Sequence, residues 1–295
     1  MLSTSRYLRS AADSSSITPC PGKKVIEAQN WVDFLPRDVS LKIMKKVGII
    51  EILNTIPVVC HSWHKISKDP ELWRYIDMEN LDIENLVRLR PTDCDLVEMT
   101  KSAIDRSCGQ LIDLKIASFG CDDLLMHLSN RKNQLRSLRL VACWDISDEG
   151  LSEAVKKLSS LEELHIYYGN ITDEGLELVG RHCPGLRSLT FNQQGMFSRD
   201  ESKSGNDEAF AIARSMPELC HLSLFGNQMS NNGLQAILDS CPHLESLDLR
   251  QCFKVDLGDF ELSKRCSSIK GLRSLHDSTD DYEYDSSIFN FDFYI

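Results

Sequence analysis

The sequence predicts an α/β protein in which a small helical domain precedes a right-handed solenoid, with parallel strands on the concave face and helices on the convex face. Two observations predict this fold. One short sequence occurs twice in similar form, as LRLVACWDISDEGL at 138–151 and as LHIYYGNITDEGL at 164–176. The apolar pattern Leu-x-x-Leu-x-Leu also recurs through residues 111–275 at nearly constant spacing. Self-similarity at a fixed period of roughly 20 to 50 residues indicates a stacked array.

The apolar pattern occurs in seven copies. The copies begin at Leu111, Leu135, Leu161, Leu186, Leu219, Leu244 and Ile269. The intervals between them are 24, 26, 25, 33, 25 and 25 residues. The long interval contains the polar segment 193–206, which predicts a surface loop inserted into a regular array. The last copy is degenerate, because Ser274 stands where an apolar residue is expected.

Each copy predicts a strand, a polar turn and a helix. Alternate side chains of a strand point to opposite faces, so the leucines of x-Leu-x-Leu face inward. Ser147, Thr172 and Ser230 are placed to cap the helices that follow, and the acidic pairs after the first two favour the helix dipole. Pro184 and Pro242 then end their helices. One such unit cannot bury its own apolar face, so neighbouring units must stack.

This periodicity resembles the leucine-rich repeat, and in particular its cysteine-containing subclass. The matching cysteines are Cys143 and Cys252 after the strand, and Cys183 and Cys241 at the end of the helix. The resemblance covers residues 111–275. It implies that the residue after the strand bonds to the backbone within the turn, a role open to Asn170 or Asn227 in the shorter copies.

Residues 31–79 lack the repeat and predict a small helical domain. Leu35 and Pro36 begin the first helix, with Pro36 near its first turn, where proline is tolerated. An apolar stripe follows at helical spacing, formed by Val39, Ile43 and Val47. Residues 50–59 are apolar enough for a second, buried helix, and Trp73 supplies a large side chain for a small core.

This domain resembles an F-box. The matching residues are Leu35, Pro36, Asp38 and Val39, then Val59, Cys60 and Trp63, then Asp69, Pro70, Leu72 and Trp73. Asp38 departs from the family's glutamate, and His61 departs from its basic residue. The resemblance implies docking on a Skp-family adaptor and, through it, on a cullin. The adaptor contacts that it implies are Leu35, Pro36, Val39, Ile43, Val47, Cys60 and Trp63.

The two modules together resemble a plant F-box/leucine-rich-repeat protein. The domains expected are a disordered leader at 1–29, the F-box at 30–79, a helix-containing connector and cap at 80–110, the repeats at 111–275 and an acidic, aromatic tail at 276–295. For the tail, disorder is favoured over a linear motif or a strand at 288–294 that covers the last repeat.

Composition excludes several classes of protein. The net charge is −11, and six acids with no Lys or Arg fall within 276–295, so no basic stripe supports nucleic-acid binding. No apolar run approaches the roughly 18 residues that span a membrane. The eleven cysteines lack a C-x-x-C motif, so we expect reduced thiols in the cytoplasm or nucleus, with no metal and no cofactor.

The sequence contains no P-loop, H-E-x-x-H or G-x-S-x-G motif, so a non-catalytic protein is expected. The family resemblance implies the substrate-recognition subunit of an SCF (Skp–cullin–F-box) ubiquitin ligase. Two alternatives stay open. One is an F-box scaffold that interacts with partners without degrading them, and the other is a receptor whose partner binding depends on a small molecule.

The residues between the inward leucines are expected to face the concave groove and to bind the target protein. The target-binding residues predicted there are Arg139, Glu163, His165, Tyr167, Asn192, His221, Phe225, Asp248 and Arg250. Arg139, Tyr167 and Phe225 are expected to be exposed anchors, because their residue types dominate binding hot spots. The alternative is a concave face that is merely solvated.

Overall fold

The computed structural model describes residues 35–79, 92–192 and 205–284. All of these except Leu35 belong to one compact unit, Pro36–Ile295. One sheet of eight parallel strands runs through it, and the strands lie in the sheet in the same order as along the chain. The expected leader, most of the predicted loop at 193–206 and the possible strand at 288–294 lie outside the described residues.

The eight strands are short and evenly spaced. They are β1 (Tyr75–Met78), β2 (Asp113–Ala117), β3 (Ser137–Cys143), β4 (Glu163–Gly169), β5 (Ser188–Asn192), β6 (His221–Ser223), β7 (Ser246–Asp248) and β8 (Gly271–Arg273). A helix precedes β2 and another follows each strand from β2 to β7. These helices are α5 (Asp93–Arg106), α6 (Asp122–Asn130), α7 (Asp148–Val155), α8 (Asp173–His182), α9 (Asp207–Ser215), α10 (Asn231–Ser240) and α11 (Phe260–Ser267). The predicted solenoid is confirmed.

The inward leucines pair in register from strand to strand. Leu138, Leu164 and Leu189 are direct partners across β3, β4 and β5, and each is at most 1% exposed. Seven strands were predicted, but β1 adds an eighth, which pairs with β2. Its sequence has no Leu-x-x-Leu, yet Ile76 and Met78 alternate inward and extend the apolar core by one layer. The sheet therefore begins within the residues that the sequence assigned to the helical domain.

Four strands, β2, β3, β4 and β7, have a backbone kink at their ends, at the same repeat position. Seven residues after the first leucine, Ser118, Ala142, Tyr168 and Gln251 all have positive φ, between 50° and 72°. This left-handed conformation is costly for side chains other than glycine, so the surrounding array must impose it. The kink turns the next side chain inward: the Cys252 thiol contacts the Leu224 carbonyl at 3.0 Å.

The same position explains the predicted role of the residue after the strand. Cys143 is buried and its Sγ lies 3.5 Å from the Val141 carbonyl, within the turn. Asn227 replaces cysteine in a later copy, where its Oδ1 accepts a bond from the Met229 N–H at 2.8 Å. Asn170 lies one residue further along, is exposed, and bonds instead to the Trp144 carbonyl in the preceding repeat.

The repeated Ser/Thr-Asp-Glu-Gly-Leu phrase links one repeat to the next. Thr172 caps α8 by accepting a bond from the Glu174 N–H. Its own N–H and hydroxyl both donate to the Asp148 carboxylate of the previous repeat, at 2.9 and 2.6 Å. Ser147 bonds to Asp122 in the same two ways. The predicted caps at Ser147 and Thr172 are therefore confirmed. Each of these residues also donates hydrogen bonds to an aspartate of the preceding repeat.

The third predicted cap is only partly right. Ser230 occupies the N-cap position of α10, but its side chain accepts no capping bond there. Its hydroxyl instead contacts Asn206 Oδ1 of the previous repeat at 3.2 Å, and its N–H donates to the same atom at 2.8 Å. The link between repeats is thus kept where the cap within the repeat is lost.

The glycine of the phrase leaves room for this acceptor. A Cβ added to Gly175 would lie 2.1 Å from Asp148 Oδ1, and one added to Gly150 would lie 1.9 Å from Asp122 Oδ1. No side chain fits at that distance. The carboxylate cannot withdraw without breaking two hydrogen bonds to Thr172.

The N-terminal helical domain contains four short helices and a 3-10 turn. These are α1 (Arg37–Met44), α2 (Ile49–Asn54), α3 (Ile56–Val59), α4 (His61–Ile66) and the turn Pro70–Trp73. Pro36 precedes α1 directly, as predicted. The single buried helix expected over 50–59 is wrong. The segment breaks at Thr55 and leaves Val58 and Val59 exposed.

Three contacts hold this domain together and fix it to the repeats. The Arg37 guanidinium forms two hydrogen bonds of 2.7 Å with Asp69, and so joins α1 to the 3-10 turn. Trp73 is 1% exposed and donates from Nε1 to the Ser67 carbonyl. The Arg106 guanidinium of α5 lies 5.3 Å from the centre of the Trp73 ring, and this places α5 against the helical domain.

Replacing Gly175 with alanine tests the link between repeats. The new Cβ would displace the Asp148 carboxylate, so we expect Gly175→Ala to lower the free energy of unfolding by at least about 2 kcal/mol, despite alanine's better helix propensity. Urea denaturation of the full chain measures this. Gly185→Ala is the matched control, because a Cβ there meets nothing within 4 Å. An equal loss in both variants would contradict the role of the carboxylate.

The buried cysteines make a second prediction. Burial raises the pKa of Cys183 and Cys241 to about 11, and that of Cys143 and Cys252 to about 12. At pH 8 these four thiols are therefore protonated and covered, and we expect Ellman's reagent to modify them only after unfolding. Cys108 is exposed, so Cys108→Ser should remove one equivalent from the fast reaction of the native chain. Fast reaction of the buried four would contradict their placement.

Candidate functional site

The predicted target-binding residues lie along the strand face of the sheet. Seven of the nine are within strands, while Phe225 and Arg250 each follow the end of a strand by two residues. The register aligns them in rows: Arg139 is the partner of His165, and Tyr167 is the partner of Asn192. The strand face therefore brings the predicted set together, as expected.

The expected exposure of the three anchors is wrong. Phe225 is 0% exposed and Tyr167 is 7% exposed, while the Arg139 side chain retains 18% of its surface. The physical reason is that the chain's own residues Ser278–Tyr284, here called the tail segment, lie across this face. Disorder, the favoured interpretation of the tail, is also wrong for the part of it that the structure describes.

The tail segment begins at a cluster of two arginines and two aspartates. Arg250 Nη1 donates to the Ser278 carbonyl at 2.8 Å and to the Asp281 carboxylate at 2.6 Å. Arg273 of β8 also bonds to Asp281, and this bond is the largest cause that lowers the pKa of that carboxyl. Asp248 holds Arg250 from the other side at 2.8 Å, and its hydrogen bonds raise the pKa of the guanidinium. Asp281 is thus kept ionised.

Tyr282 occupies the next position along the face. Its ring stacks on Phe225 with a centroid distance of 3.9 Å and an angle of 10°. The Asn192 side chain donates from Nδ2 to the Tyr282 hydroxyl at 3.2 Å. Arg250 lies over Phe225, with its guanidinium 5.3 Å from the centre of that ring. Burial raises the pKa of Tyr282 far above its ordinary value, so the phenol stays neutral.

Glu283 and Tyr284 complete the contact. Arg139 Nη1 bonds to Glu283 at 2.5 Å and to the Tyr284 hydroxyl at 3.2 Å. The Tyr284 ring lies 4.4 Å from that of Tyr167, tilted by 57°. Its hydroxyl donates to Glu79, which directly follows β1. Burial opposes the charge of Arg139, but Tyr167, Tyr284 and Glu283 together raise its pKa.

The other predicted residues of the concave face do not contact the tail segment directly. Glu163 and His221 are exposed. His165 contacts Thr190 Oγ1 from Nδ1 at 2.9 Å, and burial lowers the pKa of its imidazole. Asp248 acts through Arg250. The concave face therefore has a covered part beneath the tail segment and an open part around Glu163 and His221.

Sequence reasoning missed Glu79 and the four tail residues Asp281–Tyr284. Arg139 and Glu283 are 144 positions apart, and Glu79 and Tyr284 are 205 positions apart. No local pattern connects residues at such separations. The only available signal was composition, because acids alternate with tyrosines in the tail while arginines recur on the strands.

The helical domain presents the second candidate surface. Pro36 is exposed, and Leu35, Val39 and Ile43 are half-buried. Val47 and Trp63 pack partly against the core, and Cys60 caps α4 by accepting a bond from the Trp63 N–H at 3.5 Å. The sequence assigned Val58 and Val59 to a buried helix, but they are 81% and 54% exposed. They are the most exposed large apolar side chains of α1–α4.

The described part of the chain contains neither a cluster of metal ligands nor a membrane-spanning helix. Over residues 35–79, 92–192 and 205–284, no three His, Cys, Asp or Glu side chains come together as metal ligands. Within the same ranges, every helix is too short or too polar to cross a bilayer.

Comparison with known proteins agrees with the two-module architecture. A family model described as F-box-like matches residues 32–79, and one described as Leucine Rich repeat matches residues 157–180 and 219–238. Among solved structures, a chain from the crystal structure of the Rad7 and Elc1 complex in yeast has a TM-score of 0.46 and 16% identity, over 74% of this chain and 55% of that chain.

Similar sequences occur in Arabidopsis thaliana. The F-box protein SKIP19 is 43% identical over 277 residues, which cover 93% of this chain and 86% of that protein. F-box/LRR-repeat protein 23 is 44% identical over 281 residues, covering 93% of this chain and 60% of that protein. This chain therefore spans less than two thirds of the length of the second of these relatives.

Replacing Tyr282 of the tail segment should uncover the concave face. Tyr282→Ala deletes the stack on Phe225 and the bond from Asn192, so we expect the segment to detach more often. Cleavage by the protease Glu-C after Glu283 should then be at least tenfold faster than in the wild-type chain. Tyr75→Ala is the control, because it removes an exposed tyrosine at the start of β1. Equal cleavage rates in all three chains would contradict the docking of the tail.

Proposed function

We propose, from the premise that this chain belongs to the plant F-box/leucine-rich-repeat protein family, that it is the substrate-recognition subunit of an SCF ubiquitin ligase. The F-box would bind a Skp-family adaptor and, through it, a cullin. The concave face would hold a target protein for ubiquitination and degradation by the proteasome. The chain itself would be non-catalytic and would act in the cytoplasm, the nucleus or both.

The exposed apolar side chains of the F-box carry this proposal. Val58 and Val59 are adjacent, both are more than half exposed, and no described residue covers them. Exposed apolar side chains beside half-buried ones mark the surfaces that proteins use to bind each other. Val39 and Ile43 of α1 are half-buried in the same domain, and they belong to the set that the family pattern implies. An adaptor would complete their burial.

The junction between the modules supports the mechanism. Trp73 and Arg106 hold the F-box against α5, which packs on the first repeats. A target on the concave face would then be carried at a fixed position relative to the adaptor. Such tethering converts a bimolecular encounter with the ubiquitin carrier into a local one, and this raises the rate without any catalytic side chain.

Charge placed at the exposed valines should block the adaptor. We expect Val58→Asp with Val59→Asp to weaken binding of a purified Skp-family adaptor at least tenfold, or about 1.4 kcal/mol, because the carboxylates would have to be buried unpaired. Leu35→Ala with Pro36→Ala should have the same effect, since the family pattern places both in the interface. Titration calorimetry measures the affinity, and circular dichroism checks that the helices persist.

Phe253→Ala is the matched control, because Phe253 is 65% exposed but lies in the last repeats. Its adaptor affinity should equal that of the wild type. Normal adaptor binding by both folded F-box variants would overturn the ligase proposal. If the adaptor binds but a reconstituted ligase ubiquitinates no co-purified target, the scaffold alternative gains support.

A further inference from the structure

The tail segment contacts the concave face as a bound peptide would. Its sequence alternates acid and tyrosine from Asp281 to Tyr284, and the face offers alternating partners in the same order. Asp281 meets Arg250 and Arg273, while Tyr282 meets Phe225. The next two residues of the segment show the same order, an acid that pairs with an arginine and then a tyrosine that contacts an aromatic ring. Glu283 meets Arg139, and Tyr284 meets Tyr167.

Recognition of the tail segment uses its side chains far more than its backbone. Among the described contacts with the face, the Ser278 carbonyl is the only backbone group of the segment that takes part. The remaining bonds and ring contacts are made by the side chains of residues 281–284. A peptide supplied by another protein could make the same contacts, because they depend on the order of side chains and not on the connection to β8.

The connection to the last repeat also lets the tail segment leave. Residues 276–281 are all exposed, so this connection is held by surface contacts and not by burial in a core. These contacts are the stack of His276 on Phe253 and the bonds of Arg250 and Arg273 to the segment. The buried anchors are Tyr284, 9% exposed, and the partly buried Tyr282. Their release would uncover Phe225, Tyr167 and Arg139, which are residue types that dominate binding hot spots.

We propose that the concave face is a binding site for an acidic peptide of the pattern Asp-Tyr-Glu-Tyr, which the chain's own tail segment occupies until a target protein presenting that pattern displaces it. This deepens the proposed function, because it names the chemical class of the target and rests on the concave face being the target site. Each carboxylate of the target segment pairs with an arginine, and each tyrosine packs against an aromatic ring.

A target must bind the concave face more strongly than the same four side chains alone would, because it has to displace the tail segment. A tail joined by a short flexible connection acts at an effective concentration on the order of millimolar, so a peptide with only the same four side chains competes weakly. A target gains by also contacting the open part of the face around Glu163 and His221, which the tail segment leaves uncovered. The apparent affinity of the target equals its affinity for the open site multiplied by the fraction of chains in which the site is open.

The test is binding of a fluorescent peptide with the sequence STDDYEY to the full chain. We expect weak binding to the wild type and at least tenfold tighter binding to Tyr282→Ala/Tyr284→Ala, whose tail no longer fills the site. Asp281→Lys is a second way to open it, because Asp281 is exposed and the new charge would repel Arg250 and Arg273. Fluorescence anisotropy gives the affinities, and circular dichroism confirms folding.

Matched peptides and one variant of the face locate the binding. STDDAEA, without tyrosines, and STNNYQY, without negative charge, should each bind the opened chain at least tenfold more weakly than STDDYEY. Arg139→Ala in the opened chain should have a similar effect on STDDYEY, because it removes the partner of Glu283 and Tyr284.

Two outcomes would overturn the proposal. One is equal affinity of STDDYEY for the wild type and for both opened chains. The other is equal affinity of the opened chains for all three peptides. Adaptor binding, measured on the same proteins, is a separate readout. Its loss with peptide binding intact would overturn the ligase assignment alone, and the reverse result would overturn only the peptide site.

Discussion

The side-chain oxygen that one repeat extends to the cap of the next repeat fixes how the array stacks. Leucine contacts are non-directional and would permit neighbouring layers to slide, whereas the two short bonds from Thr172 to Asp148 allow one register. The bonds of Ser147 to Asp122 and of Ser230 to Asn206 repeat the arrangement. The recurring phrase is therefore a set of connectors: a hydroxyl that reaches back, an acid that reaches forward and a glycine that makes room.

A fixed register turns equivalent repeat positions into straight rows across the sheet. When the register is continued one residue past β1 and two residues past β6, Glu79, Tyr167 and Phe225 fall in one such row, although they lie in different repeats. The tail segment binds across the strands and contacts this row and the one beside it. The chemistry of the concave face thus depends on the stacking bonds, because a shift of register between neighbouring strands would separate the aromatic positions from the arginines.

Most of the fold could be predicted from the sequence, since periodic leucines and cap residues act locally. β1 was missed because Ile76 and Met78 alternate over only four residues, directly after the F-box tryptophan. Val58 and Val59 were misplaced because apolar composition does not distinguish side chains that face the core from side chains that face solvent. The concave residues were located correctly, but their exposure was not, because the pairing of Arg139 with Glu283 spans most of the repeats and leaves no local signal.

The contact of Tyr284 with Glu79 changes the cooperativity of the array. In a linear solenoid each repeat interacts only with its neighbours, so the two ends unfold independently. Here Asp281 is bound to Arg273 of the last strand, while three residues later Tyr284 is bound beside the first strand. Fraying at either end therefore costs the same tail contacts, and the two termini of the solenoid are thermodynamically coupled. A ligand that displaces the tail would remove this coupling and leave each end free to open alone.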